Sequence, residues 1–286
     1  MVKIPGFKML SRLGVGVAAA AVIAAAATTG VSAPAKAAGD NLVIAFQADV
    51  TSWDPSVNFP TGQGIFKSVF DAPLAQDNKL GYIPHVVTKW AYAEGDPLTM
   101  HIEMRDDVMF HNGDQMTMED IKFSFFDRLS DEAHPIDFAG VWGAFKEFEI
   151  TSPTSATIRF NYPMATVQEW WNFLGSYIVP KKYYMEVGHD EFVKNPVGSG
   201  PYKLVDYQRG SRIVLAANDN YWGGAPKIKN VTFEIITDAP ARVAAVQSGN
   251  ADVAVNVPIR EAIRQLEAFG FADARPRRGA VVATIT

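Results

Sequence analysis

The segment Asn195-Pro196-Val197-Gly198-Ser199-Gly200-Pro201-Tyr202-Lys203-Leu204 constrains the fold more than any other stretch of this chain. Pro196 and Pro201 fix φ and withhold a hydrogen-bond donor. Between them, Gly198 and Gly200 permit either positive φ or the close approach of another backbone. The result is a rigid turn that delivers the strand starting near Tyr202 at a set angle. A second glycine-rich segment, Asn218-Asp219-Asn220-Tyr221-Trp222-Gly223-Gly224-Ala225-Pro226-Lys227-Ile228, follows it. Next comes a strand in which Val231, Phe233 and Ile235 alternate with other residues. Asp238 is placed to cap the following helix, with Pro240 in its first turn and Gly249 at its end. Val243 and Val246 share one face of that helix. A strand over 251–255 follows. Pro258 then opens a helix carrying Ile259, Ile263 and Leu266, which Gly270 closes, and a β-branched apolar strand covers 280–286. This strand–helix–strand–helix–strand run predicts an α/β fold.

The first half of the chain reads in the same way. A short apolar strand over 41–45 runs into a loop over 47–55. Ligands of open α/β sheets gather outside the carboxyl ends of strands, so this loop is a candidate contact region. It reads equally well as an ordinary connector, with Asp54-Pro55 starting a turn. A helix is expected over 61–70, with Ile65 and Val69 one turn apart. Leu98, Met100, Ile102 and Met104 mark a half-buried strand. Asn112-Gly113 signals a tight turn. Thr117 is placed to cap a helix, with Asp120 at its positive end and Ile121, Phe125 and Leu129 forming its buried stripe. Ala156, Ile158, Phe160 and Tyr162 alternate as another strand, closed by Pro163. Residues 167–173 read as helical and carry Trp170-Trp171. Neighbouring helical side chains point about 100° apart, so one indole fills the core and the other a groove or domain contact.

The N-terminus has the pattern of a cleavable secretion signal over 1–37. Lys3, Lys8 and Arg12 precede an alanine-rich uncharged stretch, and Ala35-Lys36-Ala37 has the small-x-small form of a cleavage site. The rival reading is a membrane anchor, since the uncharged stretch is long enough to span. Its Ala, Gly, Thr and Val residues give little insertion energy, which favours cleavage. The general secretory route is expected, since no Arg-Arg pair precedes the stretch. Residues 1–37 hold four basic residues (Lys3, Lys8, Arg12 and Lys36) and no acidic one, so a net charge of −5 becomes −9 on their removal. That balance argues against nucleic acid or an anionic membrane as partner. The chain has no cysteine, so it has no lipid-anchoring residue and no disulfide, and a core of this size needs none. The expected setting is free in the periplasm, as a monomer. The end of the chain inside an apolar strand suggests a fragment or a shortened reading frame.

No catalytic or metal signature stands out. His85, His101, His111, His134 and His189 are scattered without paired-ligand spacing. The nearest approach to a metal cluster is Asp131-Glu132-Ala133-His134, which reads more simply as a solvated helix end or loop. There is no G-x-S-x-G, phosphate loop or dinucleotide fingerprint. Ser199 sits in a proline-bounded turn with no base nearby in sequence, and Asp106-Asp107 reads as solvated. Neither a catalytic residue nor a cofactor nor a metal is expected, and the chain is read as a binder rather than an enzyme.

The order of several segments resembles the bacterial family 5 extracellular solute-binding proteins, which include oligopeptide, dipeptide and nickel receptors of ABC importers. The resemblance runs through Trp53-Asp54-Pro55, the stretch 84–90, and Met104-Arg105-Asp106-Asp107-Val108-Met109-Phe110-His111-Asn112-Gly113. It continues through Met118-Glu119-Asp120-Ile121, the two glycine-rich segments, and Ala241-Arg242-Val243-Ala244-Ala245-Val246-Gln247-Ser248-Gly249 followed by Asp252. Two departures are Trp53, where the family often has Leu, and Val86-Val87, where Leu-Ala is usual. The resemblance implies a periplasmic binding protein class II-like α/β fold. In it, residues 38–74 and 191–286 form the lobe I core, 75–190 form an inserted subdomain, and lobe II is missing. It implies that Ala48, Asp49, Val50 and Thr51, in the loop after the first strand, lie beside the ligand. The implied function is a solute receptor that closes about a hinge on a peptide or another small solute and delivers it to the permease subunits of an ABC importer. With one wall of the cleft absent, weak binding or none by this chain alone is expected. The alternatives are an exported hydrolase and a truncated fragment with no binding activity.

Overall fold

The computed structural model describes residues 39–57, 62–133, 139–172 and 176–258, together with the backbone of 283–284. The expected secretion signal, Thr61, His134, Phe173 and the helix carrying Ile259, Ile263, Leu266 and Gly270 lie outside the described residues. The described residues belong to one compact unit, Ala38–Thr286.

Strand β1 (Asn41–Phe46) is the inner strand of a six-stranded sheet. It pairs in parallel with β10 (Asn230–Ile235) on one side and β11 (Val253–Ala254) on the other. Antiparallel β9 (Arg212–Ala217) and β8 (Tyr202–Gln208) extend the sheet beyond β10, and β12 (Ala283–Thr284) pairs antiparallel with β11. Helix α7 (Ala239–Gln247) links β10 to β11. The Asp238 carboxylate accepts from the Ala241 amide and Pro240 lies in the first turn, as the sequence predicts. Gly249 follows the helix at φ +75°, where a left-handed turn favours glycine.

A separate four-stranded antiparallel sheet has the order β4 (Val87–Ala93), β5 (Asp96–Met104), β7 (Ser155–Phe160), β6 (Phe145–Ser152). Met100, Ile102 and Met104 on β5 face Ala156, Ile158 and Phe160 on β7 within one core. Leu98 is 37% exposed and Tyr162, beyond the end of β7, is 51% exposed, so the alternation holds only inside the paired stretch. A short ribbon of β2 (Leu74–Gln76) and β3 (Tyr82–Pro84) stands beside this sheet's first strand.

Helix α2 (Met118–Phe125) closes the same core. Its capping box is complete: Thr117 Oγ1 accepts from the Glu119 amide at 3.3 Å, and Asp120 Oδ2 accepts from the Thr117 amide at 2.8 Å. The helix ends at Phe125, one turn before the expected stripe does, and Leu129 lies in a 3₁₀ turn over Asp127–Ser130. The expected helix around the paired tryptophans is the short α4 (Val167–Trp170). Trp171 is fully buried, and Trp170 packs half-buried on the same core.

The glycines of the first diagnostic segment serve close approach. A Cβ on Gly198 would stand 2.0 Å from the Val69 carbonyl oxygen, and one on Gly200 would stand 2.7 Å from the Val69 carbonyl carbon. Val69 ends helix α1 (Gln63–Val69), so this turn docks directly on that helix, and the Gly200 amide donates to Val69 O at 2.9 Å. The second glycine-rich segment supplies an anchor. Tyr221 Oη and Trp222 Nε1 both donate to the buried Asp71 carboxylate at 3.1 Å, and His85 Nε2 lies 3.0 Å from the same group.

Candidate solute-contact site

The loop over 47–55 leaves the sheet at the carboxyl end of β1, between the matching ends of β10 and β11. Parallel strands with aligned ends leave a crevice there that the connecting loops line. Of the four residues expected beside a ligand, Thr51 is exposed, Ala48 and Asp49 are half-buried, and Val50 is 4% exposed within the core.

Asp49 is heavily engaged. Its Oδ2 accepts from Tyr207 Oη at 3.0 Å and from the Gly210 amide at 2.6 Å, and its Oδ1 accepts from the Val50 amide at 2.8 Å. Tyr207 sits on β8, and Gly210 occupies the β8–β9 turn at φ +72°. Burial, reinforced by the Asp49 hydrogen bond and charge, pushes the Tyr207 hydroxyl up to about 12. The Tyr207 ring also meets the Trp53 indole edge-on at 5.7 Å, and Trp53 lies 5.7 Å from Phe66 of α1. The loop is therefore held at Asp49, Val50 and Trp53. Thr51 Oγ1 donates to Val57 O at 3.3 Å. Two buried donors, Trp53 Nε1 in this loop and Gln63 Nε2 at the start of α1, have no hydrogen-bond partner among the described residues.

Farther along, Asp54 forms a buried ion pair. Arg128 Nη1 donates to Asp54 Oδ1 at 3.2 Å and to Ser56 Oγ at 2.6 Å, and Arg128 Nη2 contacts Asp54 Oδ2. At the ends of the flanking strands, Arg242 of α7 is 3% exposed and, among the described residues, its hydrogen bonds go to main-chain oxygens. Its Nε donates to Val255 O at 2.9 Å, Nη1 to Ile236 O at 2.8 Å and Thr237 O at 2.9 Å, and Nη2 to Asn256 O at 2.8 Å. Burial lowers its pKa. Sequence reasoning passed over both arginines as functional supports. Arg242 stood inside a quoted motif, whereas nothing local pointed to Arg128.

Elsewhere, a groove of about 610 Å³ is bordered by Phe110, Thr117, Pro180 and Met185. It includes no residue of the β1 loop, and its lysines are paired, Lys181 with Glu119 at 2.6 Å and Lys182 with Asp114 at 3.0 Å. Among the described residues no group of three or more His, Asp or Glu side chains is arranged to hold a metal.

The mixed sheet with its crossover helix, and the appended antiparallel sheet, define a periplasmic binding protein fold, as solved structures show. NikZ from Campylobacter jejuni in complex with Ni(L-His) superposes with a TM-score of 0.73 at 22% identity, covering 80% of this chain and 45% of that one. DppA from Helicobacter pylori in complex with the peptide STSA gives 0.72 at 24% identity, covering 80% and 48%. The family model of the bacterial extracellular solute-binding proteins, family 5 Middle, matches residues 81–282, and the chain belongs to that family. Among curated relatives, the glutathione-binding protein GsiB of Escherichia coli O6:K15:H31 is 25% identical over 250 residues, 84% of this chain and 47% of GsiB. The chain thus spans about half the length of the curated relatives it matches at that coverage.

Proposed function

We propose that this chain is the solute-contacting part of an exported receptor that delivers peptides or similar small solutes to the permease subunits of an ABC importer. The observation that carries the reading is the pinned loop at the carboxyl end of β1, flanked by the ends of two parallel strands. Ala48, Asp49, Val50 and Thr51 form the contact segment in this reading. Extended peptides suit such a segment, because main-chain groups can pair along them at every residue. Family membership and the names of the relatives, which bind glutathione, peptides or a nickel chelate, support the same class.

The reading includes a cleavable signal over 1–37, a periplasmic location and a monomer. It also divides the chain into a lobe I core from 38–74 and 191–286 and an inserted subdomain over 75–190. Sheet membership supports that division: β1 and β8 to β12 make one sheet and β4 to β7 another. The decisive experiment is incubation of the purified protein with di- to tetrapeptide mixtures at millimolar concentration, followed by native mass spectrometry. Retained, chemically unchanged peptides are the expected result. Cleaved products accumulating with time would replace the receptor by a hydrolase.

A further inference from the structure

We propose that Asp49 serves the solute site as a positioning residue, its carboxylate acting as an internal strut for the contact loop and not as a counter-ion for the solute. This rests on the receptor reading above and assigns one of its residues a different role from its neighbours. A carboxylate that holds a solute's ammonium group must keep lone pairs free for it. Here three protein donors take up three of the roughly four acceptor positions of the Asp49 carboxylate, both of those on Oδ2 included: Tyr207 Oη at 3.0 Å, Gly210 N at 2.6 Å and Val50 N at 2.8 Å. The donors come from three places, namely a strand, a turn and the loop itself. Two of them lie more than 150 residues away in sequence. The carboxylate therefore ties the loop to the far side of the β8–β9 hairpin. Gly210 holds φ +72° at that hairpin, a conformation that presents its amide to Asp49. In this proposal the solute meets the half-buried Ala48 segment and the exposed Thr51. Those groups recognise the backbone of a peptide-like solute irrespective of its charge.

The test is a double-mutant cycle on Asp49→Asn and Tyr207→Phe. An asparagine offers a single acceptor oxygen, and its NH₂ cannot receive the Gly210 amide. Tyr207→Phe removes one donor and keeps the ring on Trp53. The first readout is amide hydrogen exchange of the unliganded protein. The Val50 and Gly210 amides should be protected in the native chain. Each single variant should exchange there about tenfold faster, with the double variant no worse than the more affected single. The second readout is affinity for trialanine, free and N-acetylated. Both single variants should lose about tenfold, the double variant about the same, and acetylation should matter equally little in all four proteins. Unprotected Val50 and Gly210 amides in the native chain would overturn the strut. So would loss of binding in Asp49→Asn alone, with Tyr207→Phe unaffected and discrimination against N-acetyl-trialanine removed. If the native chain binds neither peptide, the receptor reading fails for peptides while the exchange readout still decides the strut.

Discussion

Arg128 and Asp54 meet as a charged pair with both side chains about 1% exposed, though 74 residues separate them in sequence. The pair joins the turn beyond α2 to the end of the candidate contact loop. Ser56 Oγ accepts from the same guanidinium at 2.6 Å, and the Arg128 guanidinium carbon lies 4.9 Å from the centre of the Tyr184 ring. Removing one partner of such a pair leaves an uncompensated charge in the interior. Arg128→Leu should therefore destabilise by about 3–5 kcal/mol, and Asp54→Leu by a similar amount. The double variant should recover most of the loss, because no buried charge then remains. Urea unfolding of the four proteins measures this, and a double variant as unstable as the sum of the singles would contradict it.

Features whose cause is local were legible from sequence. Thr117 and Asp120 lie three residues apart and complete each other's hydrogen bonds, so their order alone announces a helix start. Asp238, which accepts from the Ala241 amide, and Pro240 in the first turn likewise announce a helix start. The glycines at 198 and 200 were legible only as a choice between two causes, because close approach depends on Val69, more than a hundred residues earlier. The Asp54–Arg128 pair, the Asp71 hub and the Asp49 contacts were not legible at all. Apart from the Asp49–Val50 bond, each joins residues 14 to 161 positions apart, and no periodicity encodes a hydrogen bond across such a gap. The candidate contact loop could be placed at a strand end, but the degree to which its side chains are already engaged could not.

Gly198 and Gly200 test the docking of the first diagnostic segment on α1. The atoms a new Cβ would strike belong to the Val69 backbone, which cannot swing aside as a side chain can. Gly198→Ala and Gly200→Ala should each cost about 3 kcal/mol or more. Gly64→Ala, where no described residue lies within 4 Å of the new Cβ, should be neutral or mildly stabilising because alanine favours the helix. Thermal unfolding of the three variants gives the ranking, and equal midpoints would show that the turn does not depend on that contact.

His111 links stability to pH. It is a neutral imidazole wedged between Gly200 O, which lies 3.0 Å from Nε2, and the Gly198 amide, which donates to Nδ1 at 3.3 Å. Burial pushes its pKa down to about 4. Between that value and the unfolded value of about 6.5, the unfolded chain takes up a proton that the folded chain refuses. Stability from this group is therefore complete above pH 6.5, falls as the pH drops, and levels off below about 4. The loss should approach about 3 kcal/mol. Burial also raises the pKa of Asp120, which acts in the opposite direction. The informative measurement is thus the difference between the native protein and His111→Gln in urea at pH 7.5 and 4.5. That difference should shrink at the lower pH. A constant difference would show that His111 does not titrate in this way.

Arg242 makes the strongest structural demand at the site. Buried to 3% exposure, and with no carboxylate in hydrogen-bond contact among the described residues, its guanidinium holds four carbonyl oxygens from the ends of β10 and β11. Those strands flank β1, so the arginine keeps the walls of the crevice at one spacing. Arg242→Met fills much of the same volume but leaves the four oxygens unpaired. Arg242→Lys keeps the charge but cannot reach four acceptors in the fork that the guanidinium provides. Both should lose about 2–4 kcal/mol in chemical unfolding, since unpaired buried acceptors carry their full desolvation cost. The effect should also be spatially graded. Amide exchange should rise at Val255, whose amide donates to Ala45 O, and at Ile236, whose amide donates to Phe46 O, while the β4–β7 sheet stays protected. Uniform loss of protection across both sheets would mean that Arg242 supports the whole unit and not the crevice in particular.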